Sequence, residues 1–417
     1  MDGQVSVLKQ LLVQCRVGGV QAAVLENRVL ADYASERQDP EQPGRTQPGA
    51  VLGNIYRGKV VNVLPGMQAA FLDIGLAKNA FLYIDDVLGV AQGKNQNKEK
   101  PSIRDVLRIG QELTVQVIRE ASGVKGARVT MHVSLPGRWL VYMPSAGYVG
   151  VSRKIDDEKK RERLRLFGER MRLAEEGVIL RTAAAEVMDA ALSDDLSSLR
   201  ERWQKIAGLA KQRKAPAELH QEAGLIYRIV RDMLTADTDE IWVDEEAIFE
   251  QTVALVREMA PGSERKVKLY PAASKASLFA HHDVDRQTES AFSRIVQLAS
   301  GGYIVWDETE ALTVIDVNTG KFIGTDKLED TLYRTNSEAA EAIARLLRLR
   351  DTGGIIIIDF IDMEEEMNRQ RISQQLEELV RRDRSRCTVV GWTRLGLMEI
   401  TRKKARATAA SFYPIRP

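Results

Sequence analysis

A chain of 417 residues has room for roughly three domains, and its 60 Lys and Arg against 59 Asp and Glu leave a formal charge of +1, so bulk electrostatics announces no polyanion partner and local clusters must carry that argument. Its two cysteines, Cys15 and Cys387, have no paired spacing, which excludes a disulfide framework and fits a reducing cytoplasm. No basic stretch, apolar core and small-residue cleavage site open the chain, and its apolar runs are too short to span a bilayer, so a cytoplasmic protein without a membrane span is expected.

Residues 5–33 alternate short apolar runs with turns and read as a small β-rich start. Residues 35–48, polar and rich in Pro, Gln and Gly, read as a loop or linker. Between Val51 and Val133, five strand signals follow at regular spacing, over 54–61, 68–74, 79–83, 113–118 and 128–131, with turn formers such as Leu64-Pro65-Gly66 between them. That spacing predicts a small Greek-key barrel of the OB type. Gly93 to Lys100 reads as a polar loop within it. Phe71 and Phe81 fall at strand positions, with Arg57, Lys59, Lys78, Arg119 and Lys125 nearby. Aromatic faces among basic side chains bind single-stranded nucleic acid by stacking and phosphate attraction. The competing assignment makes both Phe core, because so small a barrel buries most of its aromatics.

The charged stretch 152–172 reads as the start of a helix with a solvated face. Gly177–Leu180 is a strand candidate that delivers Arg181 and Thr182. Residues 183–214 form a long charged helix broken at Pro216, residues 225–234 another helix, and 240–244 and 266–270 two strands. The four histidines, His132, His220, His281 and His282, show no ligand spacing with cysteine, and His281-His282 reads as a polar loop. From Ser290 the pattern becomes strand–strand–helix–strand–helix. Strands over 302–306 and 312–318 flank a turn at 307–310, and a Gly-containing loop follows over 319–324. Thr335-Asn336-Ser337-Glu338 reads as a capping box opening a helix to Leu349. A strand to Asp359, a helix over 365–382 and a strand over 389–392 complete the series, and 395–400 leads into Arg402-Lys403-Lys404.

The chemistry gathers on two of these strands. Leu312–Asn318 and Ile355–Asp359 are β-branched apolar runs ending in acidic or amide groups, and read as strands covered on both faces. Carboxylates buried there cost several kcal/mol unless paired, and a cation is one such partner. Asp316 and Asn318, two apart, share a strand face, while Asp359 ends the next strand of a strand–helix–strand unit, where functional groups collect. Two carboxylates with water as the remaining ligands suit Mg2+, which serves phosphodiester chemistry. The alternative is that these acids cap turns or pair with Arg350 or Arg394. Asp362 would cap the following helix or support the site from behind. Arg381, Arg382, Arg384 and Arg386 form a basic cluster suited to phosphate, or a solvated helix end.

With Asp316-Val317-Asn318 and the stretch Gly353 to Met363 in view, the chain resembles the ribonuclease E/G family of endoribonucleases, closer to its shorter ribonuclease G-like members. Further stretches carry the likeness: Gly53 to Lys59, Leu64 to Gly75, Leu180-Arg181-Thr182, Glu310 to Gly320 and Thr335 to Ala340. The resemblance implies an α/β multidomain chain. An RNase H-like scaffold split in sequence (1–49 and 220–289) surrounds an inserted OB-fold S1-motif barrel (50–133) and a 5′-sensor segment (134–219). A DNase I-like α/β catalytic subdomain follows (290–404), then a tail (405–417). It implies Asp316 and Asp359 as Mg2+ ligands, with Asn318 orienting the scissile phosphate or the attacking water. Phe71, Phe81, Arg119 and Lys125 would hold the strand in a channel, and Gly137, Val141, Arg181, Thr182 and Arg386 would form a pocket for a 5′-monophosphate.

The implied function is Mg2+-dependent cleavage of single-stranded RNA, leaving 5′-phosphate and 3′-hydroxyl ends, in RNA processing and decay. Two rivals are an RNA-binding or ribosome-assembly protein without turnover, and a metal phosphodiesterase acting on a small molecule. The family's Cys-Pro-x-Cys pair, through which two protomers share one zinc, has no counterpart in residues 405–417. The zinc link is therefore absent from these residues, which leaves three readings open: a shortened chain, a divergent member, or a homodimer or higher oligomer held by apolar contacts alone.

Overall fold

The computed structural model describes residues 7–39, 42–46, 51–87, 101–121, 125–235, 237–320, 328–381, 383 and 385–403. The expected loop at 93–100, most of the loop at 319–324, Arg382, Arg384 and the tail at 405–417 lie outside the described residues. The protein is mixed α/β with several sheets, and its contacts divide it into two compact units, one of Met1–Pro43 with Leu225–Pro417 and one of Gly44–Gly224. Among the described residues, no helix is long and apolar enough to cross a membrane.

The second unit opens with a small closed OB-like barrel. Strands Ile55–Leu64, Ala69–Asp73, Ala80–Tyr83, Arg128–Thr130 and Glu112–Arg119 are neighbours in that order, and pairing of the last with the first closes the ring. Alternation sends Val60, Ala70, Leu72, Leu82, Val115, Val117 and Val129 inward, as the period of two in a strand requires. Strand Ala217–His220 joins the edge at Ile55–Leu64. Beyond the barrel, strands Leu135–Pro136, Leu140–Met143, Gly177–Leu180 and Val149–Val151 form a small sheet in that order. Leu140, Val178 and Leu180 share a core with Leu164 and Phe167 of helix Glu158–Met171 and with Leu192, Leu196 and Leu199 of helix Asp189–Gln212.

The first unit holds one six-stranded sheet and five strands of another, whose last strand, Gln42–Thr46, runs across the division after Pro43. In the divided sheet, the order is Val267–Leu269, Glu240–Val243, Lys9–Arg16, Gly19–Glu26, Val29–Asp39 and Gln42–Thr46. Helices Leu225–Asp232 and Glu246–Met259 pack on it through Ile229, Val230 and Val256. In the other, the order is Ile295–Gln297, Tyr303–Glu308, Leu312–Asn318, Gly354–Asp359, Met398–Arg402 and Cys387–Trp392. Leu312–Asn318 and Gly354–Asp359 run parallel, joined by helix Leu328–Leu349, the crossover that a parallel pair needs. That helix and Glu366–Arg381 cover one face through Ile343, Leu346, Leu347, Ile372 and Leu376.

Several expectations need correcting. Residues 35–39 are not linker: they continue a strand, with Ser35, Glu36 and Arg37 registered against Gln21, Val20 and Gly19. Residues Gln42–Thr46 form the sheet's last strand, the edge position to which sheets confine Pro. Tertiary pairing outweighs the polar composition there. The long charged helix begins at Asp189, after a 3-10 turn over Thr182–Glu186. His281 ends the short helix Leu278–His281 and His282 caps it, so the pair is not loop. Helix Leu328–Leu349 starts well before Thr335, so Thr335–Glu338 is mid-helix and no capping box.

Candidate active site

The Asp316 strand alternates. Thr313, Ile315 and Val317 are buried against the helices, while Asp316 and Asn318 turn to the other face with Val314, which is 37% exposed. Strand Gly354–Asp359 does the same: Ile356 and Ile358 are fully buried, but Ile355 is 51% exposed and Asp359 is exposed. The expectation of strands covered on both faces is thus corrected. Among the described residues helices cover one face, and the isoleucines on the more exposed face hid the alternation.

Register then settles which groups meet. Asp316 is paired with Asp359 across the parallel ladder, so both carboxylates rise from one face of adjacent strands roughly 4.8 Å apart. Among the described residues neither is ion-paired, to Arg350, Arg394 or any other base. Asn318 Nδ2 donates to Asp316 Oδ2 at 2.8 Å, which fixes the amide beside the acids. Burial first, then the like charges of Asp316 and Asp362, push the Asp359 carboxyl up from its ordinary range. Two anions held together with no cationic side chain are a fitting place for a divalent ion. Among the described residues no three His, Cys, Asp or Glu converge as metal ligands.

The segments behind these acids are fixed by groups not singled out in the sequence. Gly302 lets the backbone approach: a Cβ there would meet the Asn318 carbonyl oxygen at 2.8 Å. Gly320, at φ +59°, would bring a Cβ within 2.4 Å of the Gly301 carbonyl oxygen, and only glycine takes that position freely. Past Asp359, Asn336 bonds both backbone groups of Ile361. Glu329 accepts from the N–H groups of Glu364 and Glu365 and from Asn368 Nδ2. Asp362 is exposed and lies ahead of helix Glu366–Arg381, so it does not cap it.

On the barrel, Phe71 and Phe81 are register partners on the outer face, half-buried and outside the apolar core. Their rings meet edge to face with centroids 5.5 Å apart. Tyr83 extends the row at 4.4 Å from Phe81, and the Arg128 guanidinium lies 4.7 Å from the Tyr83 centroid. Arg128 is paired with Asp86 at 2.7 Å. Arg119, exposed, is registered against Arg128, and Lys125 is exposed just before the same strand. Neither Tyr83 nor Arg128 was singled out in the sequence: Tyr83, two residues past Phe81, shares its face by spacing, whereas Arg128 is brought beside Phe81 by register alone. Arg57 instead pairs with Glu112.

Four of the expected pocket residues lie in the strands of the small sheet or just past their ends. Val141 is registered against Ile179, one residue before the strand end that delivers Arg181. Arg181 N–H donates to the Trp139 carbonyl, and its Nη1 donates to the Gly137 carbonyl at 2.7 Å. The Thr182 and Ser152 hydroxyls share a hydrogen bond at 2.8 Å. Arg386 belongs to the other unit, exposed just ahead of strand Cys387–Trp392. Its turn is held by Asp383, whose carboxylate accepts from Ser385 N–H and from the buried Arg402. Arg381 is exposed at the end of its helix, a solvated helix terminus.

The Ribonuclease E/G family profile matches residues 134–405. Ribonuclease G of Escherichia coli (strain K12) is 40% identical over 401 residues, covering 95% of this chain and 80% of that protein. The chain belongs to the ribonuclease E/G family. Ribonuclease G of Haemophilus influenzae is 37% identical over the same shares. Ribonuclease E of Escherichia coli is 39% identical over 88% of this chain but only 34% of its own length. As a ribonuclease G homologue the protein is an endoribonuclease, the enzyme class that the resemblance implied.

Proposed function

We propose that this ribonuclease E/G family member hydrolyses single-stranded RNA internally with Mg2+, leaving 5′-phosphate and 3′-hydroxyl ends. The observation that carries the reading is the parallel register of Asp316 with Asp359 on the open face of the sheet. These two residues would hold the ion. A divalent cation there supplies Lewis acidity toward a phosphodiester and neutralises its charge. Asn318, its amide anchored on Asp316, orients the scissile phosphate or the attacking water. Phe71 and Phe81 offer ring faces on which bases stack, and Arg119 and Lys125 offer cations for the backbone phosphates. In this reading the barrel is the S1-type RNA clamp, residues 134–219 are the 5′-sensor, 290–404 are the DNase I-like catalytic part, and the sheet that opens the chain is the RNase H-like scaffold.

The reading extends to the RNA 5′ end. Arg181 and Thr182 offer a guanidinium fork and a hydroxyl, both suited to a terminal phosphate, with Gly137 and Val141 completing the pocket on the same unit. The bulk and charge of a triphosphate would be excluded by a site shaped for one phosphate. Single-turnover cleavage of a labelled oligonucleotide with and without Mg2+ tests the first reading. Matched substrates with 5′-monophosphate, triphosphate and hydroxyl ends test the second, and equal rates on all of them refute it. An RNA-binding protein without turnover would bind the oligonucleotide and leave it intact.

A further inference from the structure

Asp195, on helix Asp189–Gln212, turns both oxygens to the start of strand Leu140–Met143. Oδ2 accepts from the backbone N–H of Trp139 at 2.8 Å and of Leu140 at 3.2 Å, and Oδ1 accepts from that of Arg138 at 3.4 Å. Successive amides converging on one anion form a backbone nest, an arrangement that also holds phosphates. Gly137 closes against the same group: a Cβ there would come within 2.4 Å of Oδ1 and 2.6 Å of Oδ2. The Gly137 carbonyl in turn accepts from Arg181 Nη1 at 2.7 Å. Burial pushes the Asp195 carboxyl up, while these amides and the Arg181 charge work the other way.

We propose that Asp195 is a positioning residue of the 5′-end pocket. Its carboxylate fixes the turn from Gly137 to Leu140 and, through the Gly137 carbonyl, aims the Arg181 guanidinium at the terminal phosphate. The inference rests on the 5′-monophosphate reading above. It also gives Gly137 a specific reason to be glycine, since any side chain would evict the carboxylate that organises the turn. A simple staple between helix and turn would make the same hydrogen bonds without affecting how the RNA end is read.

The test compares kcat/KM for 5′-monophosphorylated and 5′-hydroxyl oligonucleotides of one sequence in the full-length protein. The ratio cancels losses of folded enzyme or of turnover, so a purely structural defect leaves it unmoved. Asp195→Asn places an amide N–H against the nest and should lower the ratio about tenfold. Gly137→Ala displaces the same carboxylate and should lower it as well, and it decides alone should Asp195→Asn fail to fold. The double variant should fall no further than the more affected single one, because both act through one contact. Ratios within about twofold of wild type in both single variants overturn the proposal. Arg181→Ala separates the two levels. If it abolishes the preference while Asp195→Asn and Gly137→Ala keep it, the 5′-end reading stands and the role of Asp195 falls. If the wild type shows no preference, both fall.

Discussion

Asn336 grips Ile361 by both backbone groups: its Nδ2 donates to the Ile361 carbonyl at 2.8 Å, and its Oδ1 accepts from the Ile361 N–H at 3.0 Å. Asn336 is fully buried in helix Leu328–Leu349, and Ile361 lies two residues past Asp359. The helix that crosses over between the two acid-bearing strands therefore also sets the direction in which the chain leaves the second of them.

This clamp predicts a combined defect. Asn336→Ala leaves both groups of Ile361 without their partner, at about 1–3 kcal/mol each when buried. Thermal melting should show a clear drop in Tm, and kcat at saturating RNA should fall more than KM changes. An unchanged kcat would mean that the segment after Asp359 needs no such support.

The aromatic row on the barrel predicts the opposite division. Stacking of a base on an aromatic ring is worth about 1–3 kcal/mol, so Phe71→Ala and Phe81→Ala should each weaken oligonucleotide binding by roughly that amount while kcat holds. Tyr83→Ala should behave in the same direction, because its ring continues the row. Fluorescence anisotropy with a labelled single strand measures it. Equal affinity in all three variants would return the rings to a packing role.

How much of this could be read from the residues alone varied with the kind of signal. The five barrel strands were legible because turn formers such as Pro65-Gly66 and Gly110 punctuate them, and the nearly full-length likeness named the family. That Asp316 and Asn318 share a face followed from their spacing; that Asp359 stands opposite Asp316 needed the ladder. The run Ile355 to Ile358 looked uniformly buried because the exposed Ile355 is chemically identical to the buried Ile356. Thr335-Asn-Ser-Glu338 spells a capping box, yet its groups bond elsewhere: Thr335 to the Thr331 carbonyl, Ser337 to Gln375, and Glu338 to the N–H groups of Ala299 and Ser300. A local motif cannot show that its polar atoms are engaged by tertiary partners. Tyr83 shares a strand face with Phe81 by the same spacing, but Arg128, like Asp195, gains its place only from register and packing.

Acid stability follows from Glu240. Hydrogen bonds from Lys268, Trp242 and Gln10, in that order, lower its carboxyl from 4.5 to about 2. A carboxyl whose folded pKa lies below its unfolded value stabilises the fold above the unfolded pKa, and that contribution fades as pH falls toward the folded one. Glu240→Gln should therefore melt lower than wild type at neutral pH, with the difference shrinking between about pH 4.5 and 2. A Tm difference constant across that window would remove Glu240 as a source of acid sensitivity.

The paired acids themselves allow the most direct test: cleavage and binding of one labelled single-stranded oligonucleotide by Asp316→Asn, side by side with wild type in Mg2+. Cleavage should fall by on the order of a hundredfold or more, with affinity for the RNA held near that of wild type. Cleavage that persists at the wild-type rate, or is lost only in step with binding, would contradict this expectation.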